Sequence, residues 1–267
     1  MTADTLRIVI HAGFHKTGTT SLQTALLAHT PHIARLFRVE TRATSPAFVR
    51  VCEAARSLSQ DPAQLPSLDT TLTRWTRTLT LDPGQGLLIS SEDLSGHMPG
   101  RGTVTDYRSA QPVAQAMHRA LTDHFGSAAD IRFLFTTRQP EDWLRSVHWQ
   151  LAKAPDLRIN ATKFRNRYAE AADFARILTP LAFAVPLTIH PLEILTSRLG
   201  PVDALYDLAH LPQSLRDTLP AVAPANQSPP HDLSGTFIKL NRSDLPRDEI
   251  QRIKNDMIAA ANFARIT

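Results

Sequence analysis

Three short stretches of this chain carry side chains suited to holding anions and moving protons. The first is Gly13-Phe14-His15-Lys16-Thr17-Gly18-Thr19-Thr20-Ser21, between the apolar run Leu6–His11 and a helical pattern. Backbone N–H groups at a helix N-terminus attract anions, and the helix dipole adds to the attraction. Lys16 supplies a positive charge, Thr17, Thr19, Thr20 and Ser21 supply hydroxyls, and Gly13 and Gly18 give the backbone its freedom to turn. The lysine precedes the glycine and Thr19 follows it, so the Gly-Lys-[Ser/Thr] core of a Walker A loop is absent. The plainer alternative is a glycine turn capped by Thr19, with Lys16 in solvent. Lysine, glycine and hydroxyls meeting at a single strand–helix junction favour an anion loop.

The second stretch is Arg138-Gln139-Pro140, followed by Ser146. Pro140 suits the first position of a helix, and Glu141 and Asp142 suit its first turn. Ser146 then falls about two turns along, on a face that an extended Arg138 could reach. The third is Glu92, directly after the apolar segment Gly86–Ser90 and Ser91. A carboxylate there is placed for general-base work or, more simply, for starting a helix.

The surrounding elements must bring these three together. Leu6–His11, Gly86–Ser90 and Ile131–Thr137 read as buried strands, with Pro186–His190 a weaker fourth. A helix is expected from near Thr19, with Leu22, Ala25, Leu26 and His29 on one face and Pro31 at its end. Others are expected within Pro46–Thr80, between Pro112 and His124, and from Pro140 with Trp143, Val147 and Leu151 as an apolar stripe. Asp82-Pro83-Gly84 marks a turn, Ser95–Asp106 a loop, Leu219–Asp232 a proline-rich loop, and the last thirty or so residues a polar helical pattern. Strands alternating with helices predict an α/β fold: a single domain with a mainly parallel central sheet flanked by helices. Ligands of such sheets bind outside the carboxyl ends of the strands. His15–Ser21, Glu92 and Arg138 all fall at such ends.

The loop Lys16-Thr17-Gly18-Thr19-Thr20 resembles the 5′-phosphosulfate loop, Lys-x-Gly-Thr-Thr, of sulfotransferases that use 3′-phosphoadenosine 5′-phosphosulfate (PAPS). Arg138-Gln139-Pro140 with Ser146 is similar to that family's R-x-P-x₅-S pattern, whose Arg and Ser bind the donor's 3′-phosphate. The resemblance covers about residues 6–153 of a 1–267 sulfotransferase-like domain, and thins over 154–267. Asn226-Gln227-Ser228 is similar to a late segment of bacterial members, without an assigned role. It implies a P-loop NTPase-like fold, PAPS as donor and 3′-phosphoadenosine 5′-phosphate (PAP) as product. It also implies a donor site of Lys16, Thr17, Gly18, Thr19, Thr20, Ser21, Arg138 and Ser146. Some members carry a glutamate base at the end of an early strand, and Glu92 occupies a similar place. Lys16, Glu92 and His15 are the catalytic candidates, with His97 and His148 in reserve as base. The acceptor is a hydroxyl or amine of a saccharide, lipid or small molecule.

Composition narrows the alternatives. The 267 residues are 42% hydrophobic and 20% charged, as expected for a soluble globular chain. No run approaches the roughly 20 apolar residues of a membrane span. The net charge of +4 is spread over single arginines rather than basic blocks, which argues against nucleic acid. Cys52 is the only cysteine, so neither an internal disulfide nor a cysteine-rich zinc site is expected. No metal site is inferred, since His11 and His15 span a strand end and a loop. Trp143 and Trp149 read as packing groups. The N-terminus lacks a secretory signature, and a cytoplasmic location is expected. The rival readings are a P-loop kinase holding Mg²⁺ through Glu92 or Asp93, and a nucleotide-binding module without chemistry.

Overall fold

The computed structural model of the chain describes residues 5–222 and 232–263; the Asn226-Gln227-Ser228 segment lies outside them. The described residues within Met1–Arg138 and Asp173–Ala225 form one compact unit, and those within Gln139–Ala172 and Asn226–Thr267 form a second.

The first unit is built on five parallel strands: β1 (Arg7–His11), β2 (Phe37–Glu40), β3 (Gly86–Ser90), β4 (Asp130–Thr137) and β5 (Leu187–Pro191), in the order β2-β3-β1-β4-β5. All five residues of β3 are buried, as are residues 8–11 of β1. A strand covered on both faces must be apolar on both, which explains the uninterrupted Ile8-Val9-Ile10 and Leu87-Leu88-Ile89 runs. Helices α1 (Thr19–Ile33), α2 (Pro46–Gln60), α3 (Leu65–Thr76), α4 (Ala110–Phe125) and later members follow the strands. The sheet and fold class match the sequence expectation.

Two local details differ from it. Pro31 does not end α1, which runs on to Ile33. A proline in a final turn gives up only one backbone bond, near an end that already lacks partners. β2 was not expected. It has four residues, and Arg38 and Glu40 interrupt its apolar pattern. Burial of Phe37 and Val39 and pairing with β3 make it a strand, while Trp75 Nε1 donates to the buried Glu40 carboxylate at 3.1 Å.

β1 lies at the centre, with β3 on one side and β4 on the other, so the sheet's direction of growth reverses there. Crevices form at such switch points, outside the carboxyl ends of the strands. One apolar cluster joins Val9, Leu88 and Leu134 of the sheet to Leu22 and Leu26 of α1 and to Leu205 of α8 (Val202–Leu208). This packing fixes α1, and with it the loop that opens it. Helix α7 (Phe174–Ala184) contributes Phe174, whose ring stacks on Phe14 at 4.7 Å between centroids. A short helix α9 (Gln213–Arg216) closes the described part of this unit.

The second unit comprises α5 (Pro140–Ala152), α6 (Ala161–Tyr168), α10 (Ser234–Arg242) and α11 (Arg247–Phe263). Trp149 stacks on Phe237 at 5.2 Å, in a cluster with Ala152 and Ile238. Lys254 is fully buried and donates to the carbonyls of Ala152 at 2.8 Å and Ala154 at 3.2 Å, satisfying acceptors that the C-terminus of α5 leaves open. No described helix is long and apolar enough to cross a membrane.

Candidate active site

The loop between β1 and α1 is anchored from below by groups that do not reach solvent. Phe14 is fully buried against Tyr107, Phe135 and Phe174. The Thr17 hydroxyl, also fully buried, donates to Phe14 O at 2.6 Å and lies 2.8 Å from Thr136 Oγ1. Thr17 thus braces the loop, and its hydroxyl is engaged inside the protein. His11 Nδ1 lies 2.9 Å from Ser90 Oγ, tying the ends of β1 and β3 together. Ser95 Oγ donates to Ala12 O at 2.5 Å.

Above this floor the backbone curls. Lys16 has φ 68° and Gly18 φ 93°, both in the left-handed region. For a lysine that conformation costs about 1–3 kcal/mol, and it persists only where the surroundings impose it. Alternating turns of this type point successive N–H groups into one concavity, a nest for anions. Gly18 begins α1 without a side-chain cap, Thr19 included, and the first turn holds no acid. The glycine that opens α1 has no side chain to cap it, and no acid in the first turn offsets the positive end of the helix dipole. Thr20 is exposed and Ser21 half-buried beside it. Arg138, at the end of β4, donates from Nη1 to Lys16 O at 3.3 Å. The strand order thus brings Arg138 to the loop. Ser146 is half-buried in the second turn of α5, in the other unit.

Glu92 opens a short 3₁₀ turn, Glu92–Ser95, in which the Ser91 side chain accepts from Asp93 N. Glu92 thus starts a helical turn and also presents a carboxylate at the end of β3. Gln23 Nε2, from the second turn of α1, donates to Glu92 Oε2 at 2.8 Å. Burial pushes the Glu92 carboxyl up, while its own backbone N–H and the Gln23 amide favour the charged form and pull it down. The group rests below its ordinary value and is ionised at neutral pH. His15 is pushed down to about 4 by burial, against the opposing pull of Glu92, and is neutral. Its Nδ1 lies 3.3 Å from Tyr107 Oη, and its Nε2 is 3.9 Å from Asp93 Oδ1. With the ring neutral, that last approach is not an ion pair.

Asp93 is buried between two guanidiniums, Arg42 Nη1 at 3.0 Å and Arg56 Nη1 at 3.6 Å from Oδ2. Burial raises its pKa, with Arg56 and Arg42 opposing. Beside this network lies a pocket of about 380 Å³. Gln23 and Leu27 of α1, Val49 of α2, the Thr41-Arg42-Ala43 loop after β2, and Glu92 line it.

The structure therefore gathers His15, Lys16, Gly18, Thr19, Glu92 and Arg138 at the carboxyl ends of β1, β3 and β4. His97 is half-buried, with its pKa lowered by burial, Arg56 and Arg101. His148 belongs to the second unit, where Nε2 lies 3.1 Å from Ile159 O. Gln23, Arg42, Tyr107 and Thr136 were not picked out from the sequence. Gln23 had a usable signal, being four residues beyond Thr19 and so on the same side of α1. Arg42 had none once β2 was missed. No three His, Cys, Asp or Glu side chains among the described residues stand together as a metal site would require.

Comparison with curated proteins finds no match. Residues 8–182, about two thirds of the chain, match a family model described as a sulfotransferase domain.

Proposed function

The chain belongs to the sulfotransferase-domain family, and from that premise we propose that it transfers a sulfuryl group from PAPS to an acceptor hydroxyl or amine, releasing PAP. The observation that carries this reading is the uncapped, acid-free N-terminus of α1, opened by left-handed Lys16 and Gly18 and flanked by Arg138. A nest of N–H donors with a lysine fits a 5′-phosphosulfate, and a guanidinium one loop away fits a second phosphate.

When bound, the donor supplies a sulfuryl group activated by its bridge to the 5′-phosphate. The N–H groups of Gly18 to Thr20 hold the anion, and Lys16 neutralises charge that grows on the bridging oxygen. Thr17 keeps the loop in shape through Phe14 O and Thr136. Arg138, whose guanidinium has five N–H donors, recognises the 3′-phosphate. Glu92, ionised and steadied by Gln23, takes the proton of the acceptor as its oxygen or nitrogen bonds to sulfur. The sulfur–bridging-oxygen bond breaks, and its electrons leave on the nucleotide. His15 stays neutral and acts as a polar neighbour of Glu92. As with phosphoryl transfer, most of the acceleration is positioning and electrostatics.

Thermal unfolding with PAP or with ATP-Mg²⁺ tests the donor. A ligand binding only the folded state at a hundred times its Kd stabilises by about 2.7 kcal/mol. PAP is expected to raise the midpoint; stabilisation by ATP-Mg²⁺ alone would reject the proposal. In the Arg138→Ala variant, PAP binding should weaken by about 1.5–3 kcal/mol. Adenosine 5′-phosphosulfate, which lacks the 3′-phosphate, should be far less affected. Equal weakening of both would mean that Arg138 does not read that phosphate.

A further inference from the structure

We propose that the pocket beside Glu92 receives the acceptor, and that Arg42 selects acceptors carrying a carboxylate or similar anionic group. The inference rests on Glu92 serving as the base of the reaction described above. That carboxylate and its positioning amide, Gln23, both line the pocket. Its volume of about 380 Å³ falls at the small end of ligand sites, the size of a sugar ring or a compact alcohol. Leu27, Ala43 and Val49 give it an apolar wall, so the body of the acceptor has hydrocarbon to contact.

Arg42 is the cation among the lining residues. Its guanidinium is fixed in place, because Nη1 is bonded to Asp93 and Asp93 is held in turn by Arg56 and by the Ser91 hydroxyl on its N–H. Two guanidiniums share that single carboxylate, and the ionised Glu92, which also lines the pocket, balances the second of them. Of the two, Arg42 lines the pocket and is the more exposed, at 48% of its side chain against 25% for Arg56. A pre-oriented guanidinium with an open surface is what recognises a carboxylate. Glu92 and Arg42 thus divide the labour: the first meets the nucleophilic hydroxyl or amine, the second an anionic substituent on the same molecule. Asp93 acts as a positioning residue, aiming Arg42 without touching the acceptor.

The test uses two matched pairs of probes, methyl β-glucuronide against methyl β-glucoside and 4-hydroxyphenylacetate against 4-hydroxyphenethyl alcohol. Each is titrated by ligand-observed NMR into full-length protein saturated with PAP. In at least one pair the carboxylate member is expected to bind about tenfold or more tightly than its neutral partner. In Arg42→Gln that ratio should fall to about one, and Leu27→Trp, which fills the pocket, should displace the carboxylate member. Equal or tighter binding of the neutral members, no binding of either carboxylate, or a ratio untouched by Arg42→Gln would each overturn the inference. The PAP titration of every variant reports folding and the donor site separately. Intact PAP binding without a carboxylate preference rejects the role of Arg42 and leaves the donor reading standing. Absent PAP binding in the wild type rejects the donor reading instead.

Discussion

At the scale of single residues, the site rests on charges held in unusual conditions. Glu92 is half-buried yet ionised, and His15 stands by it without a charge. A carboxylate below its ordinary pKa is always ready to accept a proton but is a weak base in water; it strengthens when an acceptor displaces solvent around it. Glu92→Gln keeps the size and a hydrogen-bond partner for Gln23 but removes basicity. Single-turnover transfer with saturating donor should therefore fall by about 10²–10⁴-fold, with PAP affinity nearly unchanged. Near-normal transfer would dismiss Glu92 as the base and move attention to His15 and His97. Loss of PAP binding in a folded variant would put Glu92 in the donor site.

At the scale of elements, the β1–α1 loop holds its shape because a strand end, a helix start and a neighbouring strand are locked together. Gly13 stands at the tightest point. A Cβ there would lie 2.5 Å from Thr136 Oγ1, 2.7 Å from His11 Nε2 and 3.3 Å from Thr19 Cγ2. Thr136 and His11 belong to the buried polar floor, so they have little room to move. Gly13→Ala is expected to destabilise the protein by about 1–3 kcal/mol and to weaken PAP binding by displacing Thr17. Chemical unfolding and a PAP titration check both parts. Unchanged stability with unchanged PAP affinity would show that the floor yields and does not set the loop. Gly18 differs: its φ of 93° is the constraint, and the nearest obstacle to a Cβ is the end of a flexible side chain, Leu192 Cδ1 at 2.6 Å.

At the scale of the whole molecule, buried histidines make stability depend on pH. Burial lowers both His11 and His15 from 6.5 to about 4, and His29, His97, His118 and His148 move in the same direction. Between about 4 and 6.5 the unfolded chain binds more protons than the folded one. Stability is then fully present above 6.5 and declines as pH falls through that window. Asp93, whose pKa is raised, opposes this nearer the carboxylate range. The urea midpoint is expected to be lower at pH 5 than at pH 7.5, with a shallower dependence in a His11→Gln, His15→Gln double variant. A midpoint that is flat or rises towards pH 5 would refute the assignment of neutral buried imidazoles.

The amino-acid sequence alone determined the alternation of strands and helices and the boundaries of β3, the start of α1 and the start of α5. It also marked Lys16–Thr20 and Arg138 as candidates for holding an anion. These are local properties: apolar periodicity reports burial, and glycine and proline report backbone angles within a few residues. The tertiary structure decided the rest. It placed β3 and β4 on either side of β1, which carried Glu92 and Arg138 to the loop. It also joined Arg42 to Asp93 across 51 residues and Tyr107 to His15 across 92. The short strand β2 shows why. Phe37–Glu40 is too brief and too charged to announce itself, and it becomes a strand because β3 offers it a ladder to pair with. Contacts of that range depend on strand order, which follows from how whole elements bury their apolar faces together and not from any pattern within one of them.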